Sequence, residues 1–188
     1  MLKVAVVRFP GSNCDFDSLR AAERVGTDAY FVWHRDTSLQ GADVVLLPGA
    51  LMRNAGLTFV SKPVDVVVER TDTVFTSGYA PGARLRLPVA HGDGRFVAAD
   101  DTLRMLEAEG RVVLRYVAAS EASPLQPNPN GSANHIAGIC NAAGSVVGIM
   151  PHPERVSDAL LGQLDGLGFF TSLAAWRPRP STLNVPSR

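Results

Sequence analysis

The first fifty residues switch between two apolar periodicities in a way that leaves few architectures open. Leu2 to Phe9 is a short apolar run closed by Pro10-Gly11-Ser12-Asn13, the pattern of a buried strand that ends in a tight loop. Asp17 to Val25 then places Leu19, Ala22 and Val25 at helical spacing, with Gly26 where a helix would stop. A second apolar run, Ala29 to Trp33, follows at once, and a third, Asp43 to Leu47, ends in Pro48-Gly49. Strand, helix and strand in that order predict a βαβ unit and a parallel sheet.

Beyond Gly49 the texture changes. Leu57 to Val60, Val64 to Glu69 and Arg84 to Val89 are strand-like pieces divided by turn residues without helices between them, so this half reads as antiparallel. Asp101 to Glu109 is an amphipathic helix through Leu103, Met105 and Leu106, and Arg111 to Val117 returns as strand. Ser123 to Ser132 is a loop by composition, with Pro124, Pro127, Pro129 and Asn130-Gly131. Ile136 to Cys140 and Ser145 to Met150 flank Asn141-Ala142-Ala143-Gly144 and predict a hairpin. Residues 177–188 hold three prolines and little apolar content and are expected to fray, which leaves residues 1–176 as a single domain.

Composition narrows the function classes. At 46% hydrophobic and 19% charged, the 188 residues suit one globular core. Eighteen basic side chains balance eighteen acidic ones, so neither a nucleic-acid footprint nor an anionic membrane partner is expected. Two cysteines, Cys14 and Cys140, are too few for a disulfide framework, and the apolar start is too short for a signal peptide. A cytoplasmic protein is expected. His34 and His135 have no cysteine or carboxylate at ligand spacing, and no glycine loop suits a phosphate, so neither metal nor nucleotide is expected in this chain.

The stretch richest in chemistry is Met150-Pro151-His152-Pro153-Glu154-Arg155, directly after a strand. A His and a Glu two residues apart can act as a base and its orienter, the carboxylate fixing the imidazole tautomer and stabilising the imidazolium. On pattern alone a solvated turn is the commoner meaning of His-Pro-Glu, so the motif needs company. His91, between glycines after a strand, is open to two readings: a group that approaches a site, or a hydrogen-bonded loop histidine.

Company is present. Pro10-Gly11-Ser12-Asn13-Cys14-Asp15, Ala90-His91-Gly92-Asp93-Gly94-Arg95, Asn128-Pro129-Asn130-Gly131-Ser132, Ile136-Ala137-Gly138-Ile139-Cys140-Asn141 and the His152 stretch follow one another in order. Together they resemble the glutaminase subunit of phosphoribosylformylglycinamidine synthase, a class I glutamine amidotransferase, from Met1 to about Leu173. The resemblance implies a flavodoxin-like α/β fold: a central, mostly parallel sheet with helices on both faces, and a smaller antiparallel element. It implies glutamine as substrate, His152 and Glu154 as catalytic base and orienter, and the Gly49 amide as an oxyanion contact, although Ala50 stands where the family has a second glycine. It further implies a large synthetase subunit as partner, carrying ATP and magnesium, and a small accessory subunit.

One expected part is missing. The family's nucleophilic cysteine sits on a sharp strand-to-helix elbow, Gly-x-Cys-x-Gly. Here Gly49 runs into Ala50-Leu51-Met52-Arg53-Asn54, which resembles the segment beyond that elbow's helix. At least one βα unit of roughly 30 residues is thus expected to be absent between Gly49 and Ala50. Cys140 does not replace it, because a strand rather than a helix follows; Cys14 falls in what the resemblance treats as a structural loop. Two functions stay open on this sequence: a glutaminase subunit of purine synthesis, or a silent relic able only to dock on the synthetase.

Overall fold

The computed structural model describes residues 1–8, 15–46, 52–119 and 127–176. Its first element, β1 (Lys3–Arg8), is buried from Val4 through Val7, which is why the run reads as continuously apolar rather than alternating. Helix α1 (Asp15–Arg24) places Ala21 and Ala22 inward, carries Asp15 and Asp17 in its first turn and Arg24 in its last, and so complements its dipole at both ends. Next come β2 (Asp28–Trp33) and β3 (Val44–Leu46), both parallel to β1 in the order β2-β1-β3. The βαβ unit expected from the first fifty residues is therefore present.

The rest of the chain builds an antiparallel sheet. It contains β5 (Val60–Val68), β6 (Arg84–His91), β8 (Val112–Val117), β9 (Ile136–Cys140) and β10 (Val147–Ile149), in the order β10-β9-β8-β5-β6. Two short strands, β4 (Met52–Arg53) and β7 (Asp93–Arg95), pair separately. Helix α2 (Asp100–Ala108) precedes β8, and α3 (Leu167–Ala175) ends the described chain. The α/β class holds, but the proportions differ from expectation: among the described residues the antiparallel sheet has five strands and the parallel one three.

The two strand pieces expected at Leu57 to Val60 and Val64 to Glu69 are one strand that begins later. Leu57 is in a turn at φ 55°, held by its own N–H to Asn54 O at 3.0 Å and by Asn54 Nδ2 to Thr58 O at 2.8 Å. Pro63 does not interrupt the strand that follows, because it faces Pro88 across the ladder, and two residues without N–H groups can face each other only at a non-hydrogen-bonded pair. On its other side, pairing with β8 begins only at Asp65, so no donor is missed there. The hairpin of β9 and β10 is in the expected place, with Val147 opposite Cys140 and Gly144 at φ +67° in the turn.

One core joins both sheets. Val4 of β1 and Ala21 and Ala22 of α1 pack with Val66, Leu87, Leu114 and Tyr116 of the antiparallel sheet and with Phe169, Phe170 and Leu173 of α3. Helix α3 had no counterpart in the sequence reading: Phe169, Phe170, Ser172 and Leu173 are buried on several sides, so the amphipathic stripe that announces a surface helix is weak.

Candidate active site

His152 and Glu154 follow β10 directly. The His152 N–H donates to Pro88 O of β6 at 2.8 Å, which fastens the segment to the antiparallel sheet. Pro153 then opens a 3-10 turn, Pro153–Val156, and its fixed φ suits that position. The turn returns the Glu154 carboxylate to the ring two residues earlier, where His152 Nδ1 lies 2.7 Å from Glu154 Oε1. Both residues are only 8% exposed. A carboxylate oxygen accepts, so Nδ1 carries the hydrogen and Nε2 presents its lone pair. That Nε2 is buried and has no hydrogen-bond partner among the described residues. Buried nitrogens of this kind require an explanation, and a reacting group placed opposite is one.

The segment that follows the pair packs on α1: Arg155 Nε lies 4.0 Å from Asp17 in its first turn, while Asp158 pairs with Arg24 in its last turn at 2.5 Å.

His91 is resolved by its partners. Asn54 Nδ2 donates to Thr58 O and to His91 O, and Asn54 Oδ1 accepts from the Gly94 N–H at 3.1 Å, so the orientation of the amide is fixed. The same oxygen lies 2.9 Å from His91 Nδ1, which must therefore donate. On the far side Asn130 Nδ2 donates to Gly94 O at 2.6 Å and faces His91 Nε2 at 3.5 Å. A neutral Nδ1–H ring thus meets an acceptor, Asn54 Oδ1, at Nδ1 and a donor, Asn130 Nδ2, at Nε2, and a second proton on Nε2 would point at an amide NH2. Burial, followed by the electrostatic influence of the neighbouring His152, holds the His91 pKa below its ordinary value. His91 is thus a buried, hydrogen-bonded clamp on the loops, and Gly94 is required beneath it, since a Cβ there would lie 2.2 Å from the ring.

This assignment predicts a pH dependence. A base whose native pKa is depressed adds nothing above its unfolded value, near 6.5, because neither state then binds a proton. As pH falls below about 6.5 the unfolded chain takes up a proton that the native chain refuses, so stability drops until the native pKa is reached. Thermal midpoints measured from pH 8 to pH 5 should fall more steeply for the native sequence than for His91→Gln. Parallel curves would rule out a neutral, buried His91.

Cys140 is buried with Arg70 Nη1 at 3.3 Å from its Sγ, and burial raises the thiol pKa. A thiol in that state, on a hairpin, is a structural residue. Among the described residues Asp93 pairs with Arg53 on the surface at 3.8 Å. His34 stacks beside Trp33, and among the described residues no group of three or more His, Cys, Asp or Glu side chains could hold a metal ion. No helix is long and apolar enough to cross a membrane among the described residues. Cys14, the Gly49 oxyanion contact, the Gly49–Ala50 join and the tail at 177–188 lie outside the described residues. Asn54 and Asn130 were given no role by sequence; their only signal was membership of the Arg53-Asn54 and Asn130-Gly131 stretches.

Known proteins resemble this chain in sequence and in fold. The model of the CobB/CobQ-like glutamine amidotransferase domain matches residues 46–165. The phosphoribosylformylglycinamidine synthase subunit PurQ of Rubrobacter xylanophilus is 42% identical over 225 residues, spanning 93% of this chain and 98% of that protein. The subunit of the same name from Thermus thermophilus is 40% identical over 223 residues, spanning 92% and 97%. The structure of PurLQS from Thermotoga maritima superposes with a TM-score of 0.77 at 31% identity, over 93% of this chain and 98% of the matched one.

An α/β glutamine amidotransferase is the class that fold and site define. Within that class, the chain belongs to the family of phosphoribosylformylglycinamidine synthase subunit PurQ. The Rubrobacter alignment is longer than the chain: 93% of 188 residues is about 175, so about 50 of its 225 positions have no counterpart here.

Proposed function

We propose that this chain is the glutaminase subunit of a phosphoribosylformylglycinamidine synthase, and that His152 and Glu154 are its base and orienter. The observation that carries the reading is the buried Nδ1–Oε1 contact of 2.7 Å with Nε2 left unpartnered among the described residues. In the reaction, a cysteine thiol gives its proton to His152 Nε2 and attacks the side-chain amide carbon of glutamine. His152 returns the proton to the leaving nitrogen, ammonia departs, and water hydrolyses the glutamyl thioester to glutamate. Glu154 holds the ring in the Nδ1–H tautomer and stabilises the imidazolium. Ammonia passes to a large synthetase subunit, which binds ATP and magnesium; a small accessory subunit completes the complex, in the cytoplasm. Gly49 would contribute an oxyanion contact. The nucleophile belongs to the unmatched positions, placed between Gly49 and Ala50. A silent relic is the weaker reading, because burying an imidazole and a carboxylate together carries a desolvation cost that a merely docking chain does not need.

The test is a covalent restoration. The unmatched stretch of the Rubrobacter relative is inserted between Gly49 and Ala50, and ammonia release is measured with glutamine, synthetase subunit and ATP. Turnover is expected, with a loss on the order of 10⁶-fold for His152→Ala and about 10⁴-fold for Glu154→Gln, by analogy with other triads. A folded, restored chain that turns over equally well as His152→Ala would overturn the reading.

A further inference from the structure

Strand β6 brings two imidazoles together. Its Pro88 carbonyl accepts from the His152 N–H at 2.8 Å, and its last residue is His91, which follows Leu85, Leu87 and Val89 on the buried side of the strand. His152 is accordingly one of the groups that bear electrostatically on His91. Around His91 lie Asn54, Asn130 and Tyr116, all buried and all uncharged, since burial pushes the Tyr116 phenol well above its ordinary range. Asp93 on β7 is the carboxylate that bears on the ring, and it pairs with Arg53 on the surface.

Clamping the loops does not by itself require this choice of partners. A carboxylate at either ring nitrogen would hold His91 as firmly and would favour its charged form. Instead, Asn130 Oδ1 accepts from the Ser132 N–H at 3.1 Å and from Ser132 Oγ at 2.7 Å, which turns the Asn130 NH2 toward Gly94 O and His91 Nε2. Asn54 Oδ1 takes the hydrogen of Nδ1. The cluster thus has an acceptor for one proton and a donor where a second would go. His152 is built the other way. Its Nδ1 meets the Glu154 carboxylate, which lies 3.9 Å from Arg155 Nε, and its Nε2 has no donor against it among the described residues.

We propose that Asn54, His91 and Asn130 form a positioning element of the glutaminase site, which keeps an uncharged imidazole beside His152 so that His152 is the ring that takes up the proton. In this role, which rests on His152 being the base, His91 touches no reacting atom. It acts through His152: a second imidazolium nearby would oppose the first and weaken the base, whereas a neutral ring leaves the Glu154 carboxylate to stabilise the imidazolium.

The experiment follows both rings by nitrogen-15 NMR of the full 188-residue chain as pH is lowered from 8 to 5. In the native chain His91 is expected to be the neutral Nδ1–H tautomer at pH 6 and above. In Asn130→Asp an accepting oxygen replaces the NH2 opposite Nε2, His91 becomes chargeable, and the proton affinity of His152 should fall about threefold or more. Coupling between two sites is reciprocal, so in His152→Ala the proton affinity of His91 should rise by about threefold or more. That second variant decides the matter if the thermal midpoint shows that Asn130→Asp does not fold. A charged or Nε2–H His91 in the native chain at pH 6 overturns the proposal, and so do folded variants in which neither titration moves. Failure of the glutaminase reading is separate, because it is read from turnover of the restored chain, whereas these titrations need no nucleophile.

Discussion

Supplied with glutamine, the synthetase subunit, formylglycinamide ribonucleotide and ATP, the 188-residue chain is expected to release ammonia on the order of a millionfold more slowly than an intact family member. Removing the nucleophile of a triad costs about that much, because base and orienter act only through the group that attacks. The sequence contains two cysteines. Cys140 is buried on β9, lies 3.3 Å from Arg70 Nη1 and has a raised pKa, so it is neither exposed nor placed at a helix N-terminus. Cys14 precedes α1 and is treated by the family resemblance as part of a structural loop. Coupled ammonia assays on the native chain, Cys14→Ala and Cys140→Ala would decide the matter. Sustained turnover abolished by either substitution would show that a nucleophile is already present.

The second large effect is expected at Gly166. Its backbone is crossed so closely by the Pro153–Val156 turn that a Cβ would lie 2.0 Å from Pro153 O and 2.6 Å from Pro153 C. Neither atom is the end of a flexible side chain, and the Gly166 N–H also donates to Val156 O at 2.9 Å, which closes the turn onto the start of α3. Gly166→Ala should therefore push Pro153–Val156 away from α3 at a cost of about 3 kcal/mol. For a chain of this length that is a drop of about 6 to 12 °C in thermal midpoint. Gly148→Ala is the control, since a Cβ there meets nothing within 4 Å and its φ is not in the left-handed region. It should change stability by no more than about 0.5 kcal/mol. Calorimetry of both variants checks the pair, and equal midpoints would show that the segment yields without strain.

What the sequence determined by itself was local. The run at Leu2 to Phe9, the helical spacing of Leu19 and Ala22 and the two apolar runs that follow announced β1, α1, β2 and β3, because a buried parallel strand and an amphipathic helix each write their period into neighbouring residues. The β9–β10 hairpin was legible for the same reason, with its turn residues adjacent in the chain. His152 and Glu154 were legible because a strand end and two prolines bring residues two apart into contact.

Tertiary structure alone decided the rest. The pieces Leu57 to Val60 and Val64 to Glu69 read as divided by turn residues, and only the placement of Pro88 opposite Pro63, 25 residues away, at a pair that needs no N–H makes the strand continuous from Val60. Helix α3 is buried on more than one side, so its fit to Tyr79 and β1's core neighbours, rather than any stripe, defines it. His91 could have served a site or a loop, and its role was fixed by Asn54 and Asn130, 37 and 39 residues away, whose amide orientations are themselves set by backbone carbonyls and N–H groups. Periodicity records only which side of an element is covered. Which atoms meet there depends on register and on packing between distant segments, and those are settled when the whole chain closes on one core.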